Sequence, residues 1–270
     1  MSRAWFAPAA PDDGDPSADS FTLAFLCLST PIPRRRFFAL AIAAIMARRS
    51  WAAPFKISSV PADLDHILLG VSDLDFGISW LEECSGVRAV FGGVHPGRGT
   101  RNALLSLGPH RYLEIIAPDP QQAGSPASRE FWAARLNAFH VPRLIGWAAH
   151  TDDLSATAQK ATSAGIAMEA PRDGSRARPD GKMLRWKSFG LKEDYGGVLP
   201  FFIEWSRDSV HPAQDAPAGC SLLQFSAESP SSRQVTDAAR KLDLDFNTTP
   251  GKSPLLRARI SGKKGEFELT

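Results

Sequence analysis

Three stretches of this chain share one pattern, an apolar strand interrupted by a glutamate: Leu113-Glu114-Ile115, Ile203-Glu204-Trp205 and Phe267-Glu268-Leu269. Each closes a unit with the same order of elements. In the first unit Leu64–Val71 has strand composition. Ser72 or Asp73 can cap a helix over Leu74–Cys84, with Leu74, Ile78 and Leu81 on one stripe and Gly86 as its stop. Val87–Phe91, Thr100–Leu107 and Arg111–Ala117 follow as strands, the last two joined by the turn Gly108-Pro109-His110. After a helix near Arg129–Phe139 the order recurs. Leu144–Ala149 reads as a strand, Asp152-Asp153-Leu154 opens a helix that ends near Gly165, and Ile166–Glu169, Met183–Phe189 and Leu199–Trp205 read as strands. The Arg-rich stretch Pro171–Gly181 between them reads as a solvated polar loop. The third copy runs Ser221–Ala227, helix Ser231–Leu242, then strands at Leu244–Phe246, Leu255–Ile260 and Glu266–Leu269.

Tandem repetition of this kind specifies architecture more tightly than composition does. The expected fold class is α+β, built of βαβββ modules. One module leaves a sheet face uncovered, so modules 62–120 and 143–208 are expected to pair within a domain spanning 62–210. The third unit, 219–270, then covers an edge or face of that pair, or makes a homodimer.

Residues 1–60 stand apart. The first twenty are rich in Pro, Ala, Ser and Asp and read as disordered. Arg34-Arg35-Arg36-Phe37-Phe38, the apolar run to Ala47 and the small residues Ser50, Ala52 and Ala53 make a targeting segment over about 34–53. The apolar run is too short for a stable membrane span. The arginine-phenylalanine string resembles a twin-arginine export signal, with an organelle address or a cytosolic tail as alternatives.

The chain carries 31 basic and 29 acidic side chains, and this balance gives no field for nucleic acid or anionic membrane. Its three cysteines, Cys27, Cys84 and Cys220, lack zinc-ligand spacing, and Cys84 and Cys220 read as buried small hydrophobes. No GxSxG, HExxH or phosphate-cradling GxxxxGK[ST] occurs.

What remains is a set of polar residues in apolar surroundings. His66 lies inside the first strand, either as a hydrogen-bonded core histidine or as a site residue. Glu114 and Glu204 are costly to bury unless partnered. They otherwise face solvent across a two-faced sheet, a reading that Glu268 illustrates. His95, Arg98, Arg101 and Asn102 crowd one loop, where guanidinium groups suit carboxylate or phosphate oxygens. Arg185 and Trp186 alternate across a strand, so only one of them faces inward. Trp186 and Trp205 read as core.

The strand Leu64-Asp65-His66-Ile67, the helix start Asp73-Leu74, the loop Gly92-Gly93-Val94-His95-Pro96-Gly97-Arg98-Gly99-Thr100-Arg101-Asn102, and the strands around Glu114 and Glu204 resemble the glyoxalase-like domain of the vicinal oxygen chelate superfamily. The resemblance covers about residues 62–270. It implies a cupped mixed sheet around a cavity, and a lyase, isomerase or dioxygenase acting on a small oxygenated metabolite. It also implies a divalent metal ion held by His66, Glu114 and Glu204, with the two glutamates as catalytic carboxylates and His95, Arg98, Arg101, Asn102 and Arg185 binding substrate. Aligning Asp73-Leu74 with Asp153-Leu154 puts Gly146 opposite His66, and the nearby His150 is about 13 Å further along an extended strand. The ligand set is therefore one histidine and two glutamates at most. The alternative is a protein on the same scaffold that binds a small molecule without metal or catalysis.

Overall fold

The structure, a computed structural model of the 270-residue chain, describes residues 60–96, 98–121, 135–178, 180–246 and 248–270. The expected targeting segment and the start of the helix expected near Arg129–Phe139 lie outside the described residues.

The first module runs β1 (Leu64–Gly70), α1 (Leu74–Ser85), β2 (Val90–His95), β3 (Thr100–Gly108) and β4 (Arg111–Pro118). Asp73 caps α1 by accepting from Phe76 N at 2.8 Å, and Gly86 closes it in the left-handed conformation at φ 73°. The second module runs β5 (Arg143–His150), α2 (Leu154–Ser163), β6 (Arg172–Ala177), β7 (Met183–Phe189) and β8 (Phe201–Trp205). A short α3 (Pro212–Asp215) leads to β9 (Ser221–Ser229), α4 (Ser232–Lys241), β10 (Thr248–Pro250), β11 (Leu255–Gly262) and β12 (Gly265–Leu269).

The first two modules share one eight-stranded sheet of order β2-β3-β4-β1-β5-β8-β7-β6. Within each module the first and last strands run parallel, β1 with β4 and β5 with β8, and the modules join through the antiparallel pair β1–β5. Alternation along β1 then divides the sheet's two faces. Ile67 and Leu69 join the large core beneath the helices, together with Leu81, Leu113 and Ile115. His66 and Leu68 turn to the other face, onto a cavity. The sheet curls until its edge strands meet. Gly93 of β2 sits so close to β6 that a Cβ there would lie 2.8 Å from Ala177 O. The mixed α+β fold of paired βαβββ modules is thus the architecture the repeats imply, and its cupping is the one the family resemblance implies.

The last unit forms a separate four-stranded sheet, β10-β9-β11-β12. It packs on the outer face of the large sheet. Phe225 and Phe246 set their rings 5.5 and 5.0 Å from Trp147 of β5, and Gly262 lies against the backbone of Ser85 at the end of α1.

Two expected elements move. Ile166–Glu169 forms no strand, only a bridge from Met168 to Leu191, and the pairing partner of β7 is instead Arg172–Ala177, the stretch read as a solvated loop. Its polar composition is a poor strand signal, but cross-strand packing decides the matter. Gly174 has no side chain, and the Trp186 ring of β7 fills that place, with indole atoms 2.3 Å from where a Cβ would stand. The short strand expected at Leu244–Phe246 lies at Thr248–Pro250, because Phe246 is drawn into the core against Trp147 and Phe225.

Candidate functional site

The cavity inside the curled sheet has a volume of about 480 Å³, and all eight strands contribute to its wall. Two irregularities in the β1–β5 ladder shape it. Between Leu64 and His66 the register slips so that Asp65 is an extra residue on β1, and between Gly146 and Leu144 so that Ile145 is extra on β5. Bulges of this kind re-aim side chains. The first lets two consecutive residues, Asp65 and His66, take part in one polar cluster.

That cluster is built around Asp65, which is 1% exposed. Oδ1 accepts from His66 Nδ1 at 2.6 Å, while Oδ2 accepts from Trp205 Nε1 at 3.0 Å and His211 Nε2 at 3.1 Å. His211 Nδ1 in turn accepts from Ala213 N, so its proton sits on Nε2. Half-exposed His150 lies 3.7 Å away on the same oxygen. Burial alone would raise the Asp65 carboxyl, but the facing imidazoles of His150, His211 and His66 outweigh it and hold it well below the usual carboxylate range. An ionised carboxylate only accepts, so Nδ1 of His66 carries a proton and Nε2 is turned to the cavity. The ring is clamped flat on Tyr112 at 4.5 Å and edge-on to Phe201 at 5.5 Å.

His66 Nε2 faces Glu114 Oε2 at 3.4 Å. Glu114 is also buried, and its Oε1 accepts from Asn102 Nδ2 at 2.7 Å and lies 3.4 Å from His95 Nε2. Burial would raise this carboxyl too, but His95, His66, Asn102 and Arg176 together lower it, so it is ionised at neutral pH. Burial pulls His95 down to about 4, leaving it neutral, with Nδ1 against Thr100 Oγ1 at 2.9 Å. Burial, and then the charges of Asp65 and Glu114, push the Tyr112 phenol well above its ordinary value, so it too stays neutral.

The guanidinium groups of Arg98, Arg172 and Arg176 complete this end of the cavity. Arg172 is paired with Glu169, and Arg176 is 4% exposed and is attracted by Glu114. The stretch expected to be a solvated polar loop therefore supplies two cations to the wall.

The site residues expected from sequence divide by strand phase. His66, Glu114, His95, Arg98 and Asn102 meet at the cavity. Arg101, next to Asn102 on β3, points to the opposite face and lies 4.0 Å from Asp73. Arg185 is half out in solvent beside Asp208, and its neighbour Trp186 is the one that lines the cavity. Glu204 is a correction of substance. It does not reach the cavity, because the inward residues of β8 are Phe201, Ile203 and Trp205. Its Oε2 accepts from Leu154 N at 2.8 Å, at the N-terminus of α2, where an orphan donor and the positive end of the helix both favour a carboxylate.

A catalytic divalent ion takes about three protein ligands at about 2.0–2.2 Å. The set His66, Glu114 and Glu204 is not assembled, since Glu204 lies on the other face. Asn102 Nδ2, 2.7 Å from Glu114 Oε1 and 3.3 Å from His95 Nε2, occupies the position from which an ion would bridge those two. Gly146 and Ile203 offer no donors from the second module. Among the described residues no three His, Cys, Asp or Glu side chains converge as metal ligands. The residues present do not fit the ion.

Asp65, Trp205, His211, Tyr112 and Arg176 were not singled out from sequence as members of the site. Asp65 gave one signal, a carboxylate inside an apolar strand beside a histidine.

The family described as a glyoxalase-like domain matches residues 64–242. No curated protein matches the chain. Among solved structures, a hypothetical protein from Staphylococcus aureus is similar at a TM-score of 0.59 and 16% identity, over 77% of this chain and 98% of that one. Methylmalonyl-CoA epimerase from Mycobacterium tuberculosis matches at a TM-score of 0.37 and 21% identity, over 55% and 89%. A variant of the Streptomyces coelicolor methylmalonyl-CoA epimerase in complex with 2-nitronate-propionyl-CoA matches at 0.38 and 19%, over 56% and 99%.

Proposed function

The chain belongs to the glyoxalase-like domain family, and from that premise we propose that it is an enzyme moving a proton at a carbon next to a carbonyl of a small oxygenated carboxylate. The observation that carries this reading is the row Asp65–His66–Glu114: a buried imidazole, oriented by one carboxylate, with its other ring nitrogen, Nε2, 3.4 Å from a second. Asp65 holds the tautomer and offsets the charge when Nε2 takes a proton. Nε2 is the proton acceptor, and the proton it takes lies beside Glu114 Oε2, from which it can be returned. Arg98 and Arg176 bind the substrate carboxylate and oppose the negative charge that develops on the carbonyl oxygen. Trp186, Phe201 and Trp205 exclude water around the reacting carbon.

The test is hydrogen-to-deuterium wash-in beside the carbonyl of small 2-oxo carboxylates, followed by proton NMR in heavy water. Wild type should catalyse exchange for at least one member of the panel. His66→Gln and Glu114→Gln should each lower the rate by about 10²–10⁴-fold. Exchange that survives both substitutions, or carboxylates that bind without exchanging, would overturn the reading. The second outcome would support the rival, a binding protein without catalysis, which the donor-free positions Gly146 and Ile203 favour.

A further inference from the structure

The cavity is chemically two-sided. At one end stand His66, Glu114, His95 and the three arginines. Elsewhere Leu68, Ile116 and Ile145 line the wall, as do Arg135 and Asp194, and the three apolar residues belong to one cluster with Leu136 and Phe139. Gly146 sits at this apolar end in the interior of β5, where a glycine weakens the strand and marks a bulge or a place where something approaches closely. The neighbouring bulge at Ile145 accounts for the irregular register but not for the missing side chain. Gly146 is outside the positive-φ group, so no left-handed strain restricts the position to glycine. A Cβ built there meets nothing within 4 Å. Gly197, by contrast, is forced, since its φ is 87° and a Cβ would lie 2.3 Å from Ile145 O. Gly146 therefore leaves open space that neither strain nor packing demands.

The register sets how far this space lies from the polar end. Leu68 pairs with Glu114 on one side and Gly146 on the other, so the three stand in one row across β4, β1 and β5. Two inter-strand spacings put Gly146 about 10 Å from Glu114. A compact metabolite held by the arginines would leave that end of a 480 Å³ cavity unfilled.

We propose that the space over Gly146, walled by Leu68, Ile116 and Ile145, is a binding subsite for the hydrocarbon chain of the ligand, so that the protein takes medium-chain carboxylic acids whose anionic head lies at Arg98 and Arg176. This rests on the reading that the cavity binds an oxygenated anion, and it adds the class of body that anion carries. Gly146 is then the residue that sets chain length: the side chain it lacks is the room the ligand occupies.

Isothermal titration of the full chain with acetate, butyrate, hexanoate, octanoate and octanol tests this. Each methylene buried over Gly146 should tighten binding about fourfold, so octanoate should far exceed butyrate. Octanol, lacking the charged head, should bind at least about tenfold more weakly than octanoate. Gly146→Leu should abolish the gain at octanoate and leave butyrate unchanged, with thermal unfolding confirming that the variant folds. Gly146→Ala, a smaller change, should trim the gain in the same direction. A flat series in wild type, a series that Gly146→Leu leaves intact, or octanol binding as well as octanoate would each overturn the proposal. A flat series with His66-dependent exchange intact would overturn the subsite alone. A steep series with no exchange on any carboxylate would overturn the proton-transfer reading and leave the subsite standing.

Discussion

His66 donates from Nδ1 to Asp65 Oδ1 at 2.6 Å, and that contact determines which imidazole nitrogen faces the cavity. Asp65 also ties β1 to Trp205 at the end of β8 and to His211 before α3. Asp65→Asn removes the charge on which three donors converge, and its amide hydrogens point at groups that themselves donate. Loss of one partner of a buried charged cluster costs about 3–5 kcal/mol. Urea unfolding should therefore show Asp65→Asn destabilised by about that amount. A variant as stable as wild type would refute Asp65 as the organising charge.

Acid stability should carry the signature of His95. Its folded pKa is about 4 against an ordinary 6.5. Between these values the unfolded chain binds a proton that the folded chain does not, so stability falls as pH drops from 6.5 to about 4. The loss reaches about 3 kcal/mol. Asp65 and Glu114, both held low, add a further loss of the same sign as pH falls below their unfolded values toward their folded ones. His150, raised chiefly by the Asp65 carboxylate 3.7 Å away, acts oppositely and contributes stability that is lost as pH rises through its folded pKa above 6.5. Denaturant titrations from about pH 7 to 4 should show the fall in wild type, and His95→Asn should remove most of it.

The two strand glutamates should behave differently. Glu204→Ala takes a carboxylate from the N-terminus of α2 and should cost about 1 kcal/mol, with deuterium exchange at the cavity unchanged. Glu114→Gln should leave the cavity's shape nearly intact and stop the exchange. Equal loss of exchange in both would return Glu204 to the site.

Gly197→Ala places a methyl against Ile145 O in a backbone conformation that disfavours L-residues. The conformation alone should cost about 1–3 kcal/mol, and displacement of Ile145 from the apolar end should weaken octanoate more than butyrate. Calorimetry and the chain-length series measure the two effects separately.

Much of the fold was legible because three copies of one pattern reinforce each other. The caps at Asp73 and Gly86 and the hairpin around Pro109-His110 follow from local chemistry. Phase was not legible in the same way. An apolar–Glu–apolar triplet looks identical whichever face the glutamate takes, and a shift of one residue exchanges the faces. Glu114 and Glu204 occupy matching triplets yet point to opposite sides. The same ambiguity separated Arg101 from Asn102 and Arg185 from Trp186. The Asp65 bulge has no local marker, since an unbroken strand would send Asp65 and His66 to opposite faces. Arg172 and Arg176 were hidden because an edge strand of Arg, Asp, Gly and Ser carries no apolar alternation, and its register comes from β7.

The approach of Gly93 to Ala177 O brings together the two strands that would otherwise end the sheet with unpaired backbone. Open sheet edges are templates for association with other chains. Here each edge shields the other, so the curl that encloses the cavity is also a safeguard against aggregation. Both protections depend on one position without a side chain: a residue larger than glycine at 93 would wedge the seam apart, wetting the buried carboxylates and presenting two adhesive edges at once.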